Sequence, residues 1–320
     1  MNTQWKWANG RLILAAGVAL SFVLTSCNDD ETPPVQTQNI LEIASSTPTF
    51  STLATAVETA GLEEALAADG PITVFAPNND AFNSFLTNQG ITAEELLANP
   101  DLDGILAYHV VSGSAPAADI EPGAVETLSE QNFYVSVDPQ GGIWINGKSR
   151  VTQADVAASN GIIHVIDYVI TPPRQSIAEI AVDASEAETP QFTQLVAALT
   201  RANLVDAVSG DATDNLTVFA PTDAAFEALY EALGVSGIDE IPLETLTDVL
   251  LYHVVPARAF SQDLRQDATL PTLLEGQTLT VDLANLQINE SGLIQESLNI
   301  HGVNGVIHAI DQVLLPAADE

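Results

Sequence analysis

The sequence predicts an α+β protein built from two tandem copies of one module. Three observations carry that prediction. Thr73–Phe82 (TVFAPNNDAF) returns 144 residues later as Thr217–Phe226 (TVFAPTDAAF); the same spacing relates Tyr108–Val111 to Tyr252–Val255 (both YHVV), and Asn160–Asp167 (NGIIHVID) to Asn304–Asp311 (NGVIHAID). A period this long marks duplicated domains, because solenoid repeats run roughly 20–50 residues. Within each copy, helical spacing comes first and period-two alternation second, which is the α+β order. Each copy has roughly 140 residues, enough for a core of its own.

Met1–Ser26 reads as an address. Lys6 and Arg11 supply a positive start, and Leu12–Leu24 is an apolar run interrupted by Ser21. It is too short for a spanning helix, which needs about 20 apolar residues, and fits a secretory signal. Leu24-Thr25-Ser26-Cys27 resembles a bacterial lipobox, which implies cleavage before Cys27 and acylation of its thiol. The alternative is an ordinary leader with an incidental cysteine. Cys27 is the only cysteine in the chain, so neither an internal disulfide nor a cysteine-based metal cluster is available. Residues 27–38 form a polar, acidic, proline-bearing tether. Its ten residues Asn28–Thr37 reach about 33–36 Å when extended. Acidic residues just after a lipidated cysteine resemble a surface-export signal, and linker solubility explains them equally. The expected location is outside the cytoplasm, anchored through Cys27 to the outer membrane or cell surface.

Module one is expected over residues 39–171. Ile40–Ala44 and Phe50–Leu66 carry helical spacing, with Leu53, Val57, Ala60, Leu62 and Leu66 on one side. Gly70-Pro71 turns the chain into the strand of the repeated stretch. Pro77 stops that strand, since it cannot donate to a ladder, and Asn78 suits a helix N-cap with Asp80 in the first turn. Gly90 suits a helix stop, and Thr92 with Glu95 has capping-box spacing. Asp101–Val111 predicts a helix running into YHVV. Phe133, Val135 and Val137 then alternate with polar residues, Asp138–Gly142 makes a hairpin turn, and Ile143–Asn146 returns. Ile162–Ile170 is the last strand. Residues 172–174, with two prolines, make a short and fairly stiff linker. Module two, residues 175–316, repeats the programme: a helix over Phe192–Val208, the repeated strand, a helix from Thr222, another over Leu243–Tyr252, strands at Thr278–Leu283 and Leu286–Asn289, and a last one at Val306–Leu315. The upstream helices Phe50–Leu62 and Phe192–Leu204 are offset by 142, which places a two-residue insertion around Gly210–Asn215.

Charge excludes several partners. The chain has 43 acidic residues against 8 basic ones, two of which, Lys6 and Arg11, lie in the leader. Such a field repels nucleic acid and anionic polysaccharide. No calcium loop of the D-x-[DN]-x-[DN]-G type is present. No serine elbow, H-E-x-x-H, P-loop or G-x-G-x-x-G is present either, and no cofactor is implied. Four of the five histidines are repeat-matched, His109 with His253 and His164 with His308; His301 has no match. Each matched one sits in an apolar run, which suits a core histidine satisfied by backbone groups rather than a metal ligand.

A helix of the FSTLATAV type, then TVFAP, YHVV and NGxIHxID, in one order and twice over, resembles the fasciclin domain. The resemblance covers nearly the whole exported chain. It implies, for each module, a β-sheet wedge flanked by helices, and for the chain a non-enzymatic interaction role: adhesion to cells or matrix, homophilic or toward a protein partner. In animal members of the family the Tyr-His segment is linked to integrin-dependent adhesion, which by position carries over to Tyr108, His109, Tyr252 and His253. A tyrosine ending an apolar helix also suits a packed residue with its hydroxyl tied down. Some fasciclin-related proteins bind carotenoids, so a small apolar ligand is the alternative function.

Overall fold

The computed structural model describes residues 38–317; the leader, Cys27 and the tether up to Thr37 lie outside the described residues. Module one contains helices α1 (Ile40–Ser46), α2 (Ser51–Ala60), α3 (Glu63–Ala67), α4 (Asn79–Gln89), α5 (Ala93–Leu97) and α6 (Leu102–Ala107). Its strands are β1 (Ile72–Pro77), β2 (Val110–Ser112), β3 (Gly123–Glu126), β4 (Asn132–Val137), β5 (Ile143–Ile145), β6 (Ser149–Ala158) and β7 (Gly161–Ile166). Module two contains α7 (Ile177–Glu186), α8 (Thr193–Arg201), α9 (Asp223–Leu233) and α10 (Leu243–Tyr252). Its strands are β8 (Leu216–Pro221), β9 (Val254–Val255), β10 (Thr269–Pro271), β11 (Thr278–Asp282), β12 (Gln287–Ile288), β13 (Ser291–Gly292), β14 (Ile300–Gly302) and β15 (Gly305–Ile310).

The repeated stretch organises both modules because a strand sends successive side chains to opposite faces. In β1, Val74 and Ala76 join the core under the helices, while Phe75 joins a second core under the β3–β5 strands. In β8, Val218 and Ala220 point to the helices and Phe219 to the hairpin side. Each such phenylalanine, fully buried, contributes roughly 1.5–3 kcal/mol of transfer free energy. Both strands pair in parallel with the last strand of their module, Val74 opposite Ile163 and Val218 opposite Ile307. Each module thus has an apolar core on either face of the strand layer around β1 or β8, an α+β wedge.

The helix ends follow local chemistry. Asn78 and Thr222 accept hydrogen bonds from the N–H groups of Ala81 and Ala225. Thr92 and Glu95 form the capping box, and α4 ends at Gly90. The expected helix over Phe50–Leu66 is two helices, because Gly61 takes φ +68 and caps α2 in the left-handed region. The expected helix over Phe192–Val208 also ends early, at Arg201, and only a short 3-10 turn follows at Asp206–Val208. Between them Asn203 takes φ +55, which breaks the helical path. The helix over Asp101–Val111 stops at Ala107, and Val110–Val111 is already β2. Two elements escape the sequence pattern. Helix α7 lies ahead of the repeated motifs, opened by a Ser176–Glu179 capping box. Strand β6 is largely exposed, so its SRVTQADVAA carries no clear alternation.

Module one closes as one seven-stranded sheet, β2-β1-β7-β6-β5-β4-β3. Module two has two four-stranded sheets, β14-β15-β8-β9 and β10-β11-β12-β13. The linker is pinned by an ion pair between Arg174 and Asp101, 2.6 Å, with both side chains more than half exposed.

Candidate functional site

The four residues expected as partner contacts lie in the core. Tyr108 is 0 % exposed, His109 2 %, Tyr252 4 % and His253 2 %. None of the four expected contact residues presents a side chain to solvent. Position explains it. The helix ends at the tyrosine, and the next residues enter a strand that pairs with β1 or β8. The Tyr-His pair therefore sits at the corner where helix layer meets sheet.

The chemistry of the corner is structural. The Tyr108 hydroxyl donates to the Asn132 carbonyl at 2.9 Å and accepts from Asn146 Nδ2 at 3.1 Å. The Tyr252 hydroxyl does the same with Thr278 and Asn289, both at 3.0 Å. Asn146 and Asn289 take φ of +51 and +52, and each Oδ1 accepts the N–H of Tyr134 or Thr280 on the neighbouring strand. Burial holds the Tyr108 phenol above its ordinary pKa. These asparagines were missed in the sequence. Their signal is an Ile-Asn pair in each module, at Ile145-Asn146 and Ile288-Asn289, offset by 143 rather than 144 and so outside the main repeat.

The four repeat-matched histidines are fully engaged. His109 Nδ1 faces the Ile105 carbonyl at 2.8 Å, so it donates, and Nε2 accepts the Ile170 N–H at 3.2 Å. His253 repeats this with Val249 at 2.6 Å and Leu314 at 2.9 Å. In each module the ring ties the end of a helix to the chain leaving the last strand. His164 and His308 use the opposite tautomer: Nε2 donates to Ala115 or Ala259, and Nδ1 accepts from the N–H of Asp155 or Asn299. Burial pushes His109, His253 and His308 down to about 4 and lowers His164. Neutral rings with both nitrogens bonded to backbone are neither bases nor metal ligands. Among the described residues no group of three His, Cys, Asp or Glu side chains could hold a metal ion.

Asn160 and Asn304 open the last repeated motif and act as staples. Asn160 Oδ1 accepts the N–H of Ile40, and its Nδ2 donates to Leu66 and Ala68. Asn304 binds Ile177 and Val208 in the same way. Under the helices lie two matched apolar cavities, about 40 Å³ beside Phe50, Leu53 and His109, and about 20 Å³ beside Phe192, Leu195 and His253. Their linings offer no polar side chain except the spent histidines.

The other concentration of polar chemistry is the face between the modules. Module one contributes Tyr134, Ser136 and Val137 of β4 and the turn at Gly147. Module two contributes the segment after β9 and the residues entering β14. Ser136 Oγ donates to Asp263 at 2.9 Å, and Arg265 donates to the Val137 carbonyl at 2.8 Å. Gln262 and Asn299 both donate to the Gly147 carbonyl, at 3.1 and 2.8 Å. The Arg258 guanidinium lies 4.1 Å from the Tyr134 ring centroid while donating to the carbonyls of Gly302, Val303 and Gly305. Phe260 is 1 % exposed at the centre. Gly147, at φ +64, has no room for a side chain: a Cβ would stand 2.5 Å from the Phe260 ring.

The fasciclin domain model matches residues 48–172 and 190–316. Protein sll1483 of Synechocystis is 47% identical over 137 residues, which is 42% of this chain and 73% of that protein. Human periostin is 30% identical over 260 residues, which is 80% of this chain and 29% of periostin. The porcine transforming growth factor-beta-induced protein ig-h3 is 29% identical over 283 residues, covering 88% of this chain and 38% of that protein. The chain thus spans well under half the length of these two animal relatives. A solved FAS1 domain pair from the insect cell adhesion molecule fasciclin I superposes with a TM-score of 0.38 at 18% identity, over 83% of this chain and 96% of that one.

Proposed function

This chain belongs to the fasciclin domain family, and on that premise we propose that it is a lipid-anchored extracytoplasmic interaction protein that mediates adhesion to cells or matrix and is not an enzyme. The observation that carries the reading is the double family match, over 48–172 and 190–316, on a chain whose leader ends in a lipobox-like Leu24–Cys27. Two further features support it. The repeat-matched histidines are spent on backbone groups, which leaves no acid–base pair in the module cores. The modules are docked through a hydrogen-bonded face, so two binding surfaces would be presented at a fixed relation, a geometry suited to avidity. Adhesive contact then falls to exposed surface, and the Tyr108-His109 and Tyr252-His253 segments serve it by holding the corner of each wedge.

An apolar ligand is the second reading, and the matched cavities are where it would enter. At about 40 and 20 Å³ each holds no more than a small alkyl group as it stands, so a polyene requires the helices to part. A chromophore co-purifying with the native protein would favour it.

Bead aggregation tests adhesion. Asn28–Glu320 is attached through its N-terminus, and coated beads are mixed with each other, with bare beads and with matrix-coated beads. Clumping among coated beads alone means homophilic adhesion; binding only to matrix beads means a heterophilic adhesin. No association under any condition rejects the reading. The anchor is tested separately: Cys27→Ser leaves unprocessed precursor without lipid, and a processed, acylated variant refutes it.

A further inference from the structure

One side chain on the face between the modules differs from every other histidine. His301 has no histidine at the matching position of module one; Ala157 stands there, exposed. Its ring is edge-on to Tyr134 of module one at 5.8 Å and 90°, and to Phe260 at 5.4 Å and 73°. The residue as a whole is partly exposed, yet Nε2 is sealed from solvent and has no hydrogen-bond partner among the described residues. The atom, not the residue average, governs proton uptake. We propose that His301 makes the contact between the modules acid-labile: protonation of its imidazole parts the two modules about the 171–175 connection and uncovers the Tyr134 and Phe260 faces.

The chemistry runs in one direction. A neutral imidazole can leave one nitrogen unpaired. An imidazolium puts an N–H at Nε2 that needs an acceptor, and that place offers none. The groups around it do not help. Arg258, stacked on Tyr134, is a permanent cation and repels a second one. Burial raises the Tyr108 phenol above its ordinary pKa, so it supplies no negative charge to answer an imidazolium. His308 lies behind Asn299 with both nitrogens already bonded. Asp263 and Arg265 are engaged with Ser136 and Val137. Burial, and then Arg258, hold His301 down at about 3.

The sign follows from linkage. With the modules apart, His301 regains an ordinary pKa of about 6.5. The separated form therefore binds the proton more tightly, and the closed-to-open ratio falls about tenfold for each pH unit below about 6.5, down to about 3. Asp263 acts in the opposite sense. Burial raises its pKa in the closed form, so its own protonation favours closure and works against the His301 slope wherever it titrates.

The test is FRET at nanomolar concentration on Asn28–Glu320, which keeps every described residue and has no cysteine of its own. Dyes are placed through Ser84→Cys and Ala232→Cys, one exposed position on each module. The measurement is made from pH 7.5 to 4.5, in the native sequence and with Gly147→Ala, whose methyl loosens the contact and brings the equilibrium into range. The expected result is a low-transfer population that grows about tenfold per pH unit below about 6.5, with far-UV circular dichroism unchanged. His301→Gln and His301→Phe, which cannot titrate, remove that slope. The same slope in the Gly147→Ala background with His301 and with His301→Gln overturns the proposal. So does a Gly147→Ala chain that opens without any pH dependence while its circular dichroism holds.

Discussion

The two modules share their motifs but not their sheets. In module one, β6 runs ten residues and pairs with both β5 and β7, so a single sheet wraps the wedge. In module two the same stretch is broken into β13 and β14, with a 3-10 turn at Gln295–Ser297 between them. Fixed points on either side show why. Ser149 and Ser291 make equivalent bonds to the Tyr168 and Gln312 carbonyls, and Asp155 and Asn299 donate to equivalent histidines. The path from Ser291 to Asn299 is two residues longer than from Ser149 to Asp155. Module one absorbs its irregularity as bulges, with register shifts between Val151 and Val156. Module two has too many residues for a bulge and leaves the ladder.

That difference decides which face docks. Asn299 and His301, just past the broken strand, touch module one; their counterparts Asp155 and Ala157 are exposed. Arg258 and Phe260 are likewise replaced in module one by Ser114 and Pro116. Duplication kept the helix layer and its strand, and divergence at one edge made the contact.

The comparison can be broken in four ways. The largest effect belongs to the shared corner. Tyr252→Ala and Tyr108→Ala each remove a buried ring and its hydrogen bonds, at about 3–5 kcal/mol. Urea unfolding should return similar losses for both, and a mutant that unfolds like the parent would show that one corner is dispensable. Next come the buried histidines. The folded protein keeps His253 at about 4, while the unfolded chain takes up its proton near 6.5. Stability is therefore lost as pH falls from about 6.5 toward 4, on the order of 3 kcal/mol for this residue. His109 shares the value and its cause. Denaturation at a series of pH values should give a flatter slope for His253→Gln and for His109→Gln, by the same amount; unequal slopes would mean the two corners differ in burial in solution. Third, Gly147→Ala strikes Phe260 and should cost about 1–3 kcal/mol of the contact between modules. Calorimetry should then resolve two transitions, and a single unshifted transition would mean that the modules are not coupled through this face. The smallest effect is at the linker. Arg174→Ala removes an exposed ion pair and should change stability by less than about 1 kcal/mol.

The legible part of this molecule was local. The alternation of Thr-Val-Phe-Ala-Pro, the caps at Asn78, Thr222 and Thr92, and the order of helices and strands were written in short spans of sequence, where side-chain period and hydrogen-bonding type dictate conformation. The split at Gly61 could have been read from the glycine, but helical spacing on both sides concealed it. Asn146 and Asn289 went unseen because a one-residue change in hairpin length moved them off the repeat. His109 and His253 showed their burial in sequence through their apolar neighbours, but not their partners, which lie 61 residues further on at Ile170 and Leu314.

By itself the sequence determined the duplication and the α+β order of each module, because repeats and periodicity are properties of the chain alone. Only the tertiary structure decided that the Tyr-His pairs face inward, that β6 stays whole in one module and breaks in the other, and that His301 closes against Tyr134. Those outcomes depend on which surfaces meet across long stretches of chain. Burial, and with it the state of each titratable group, is set by that meeting.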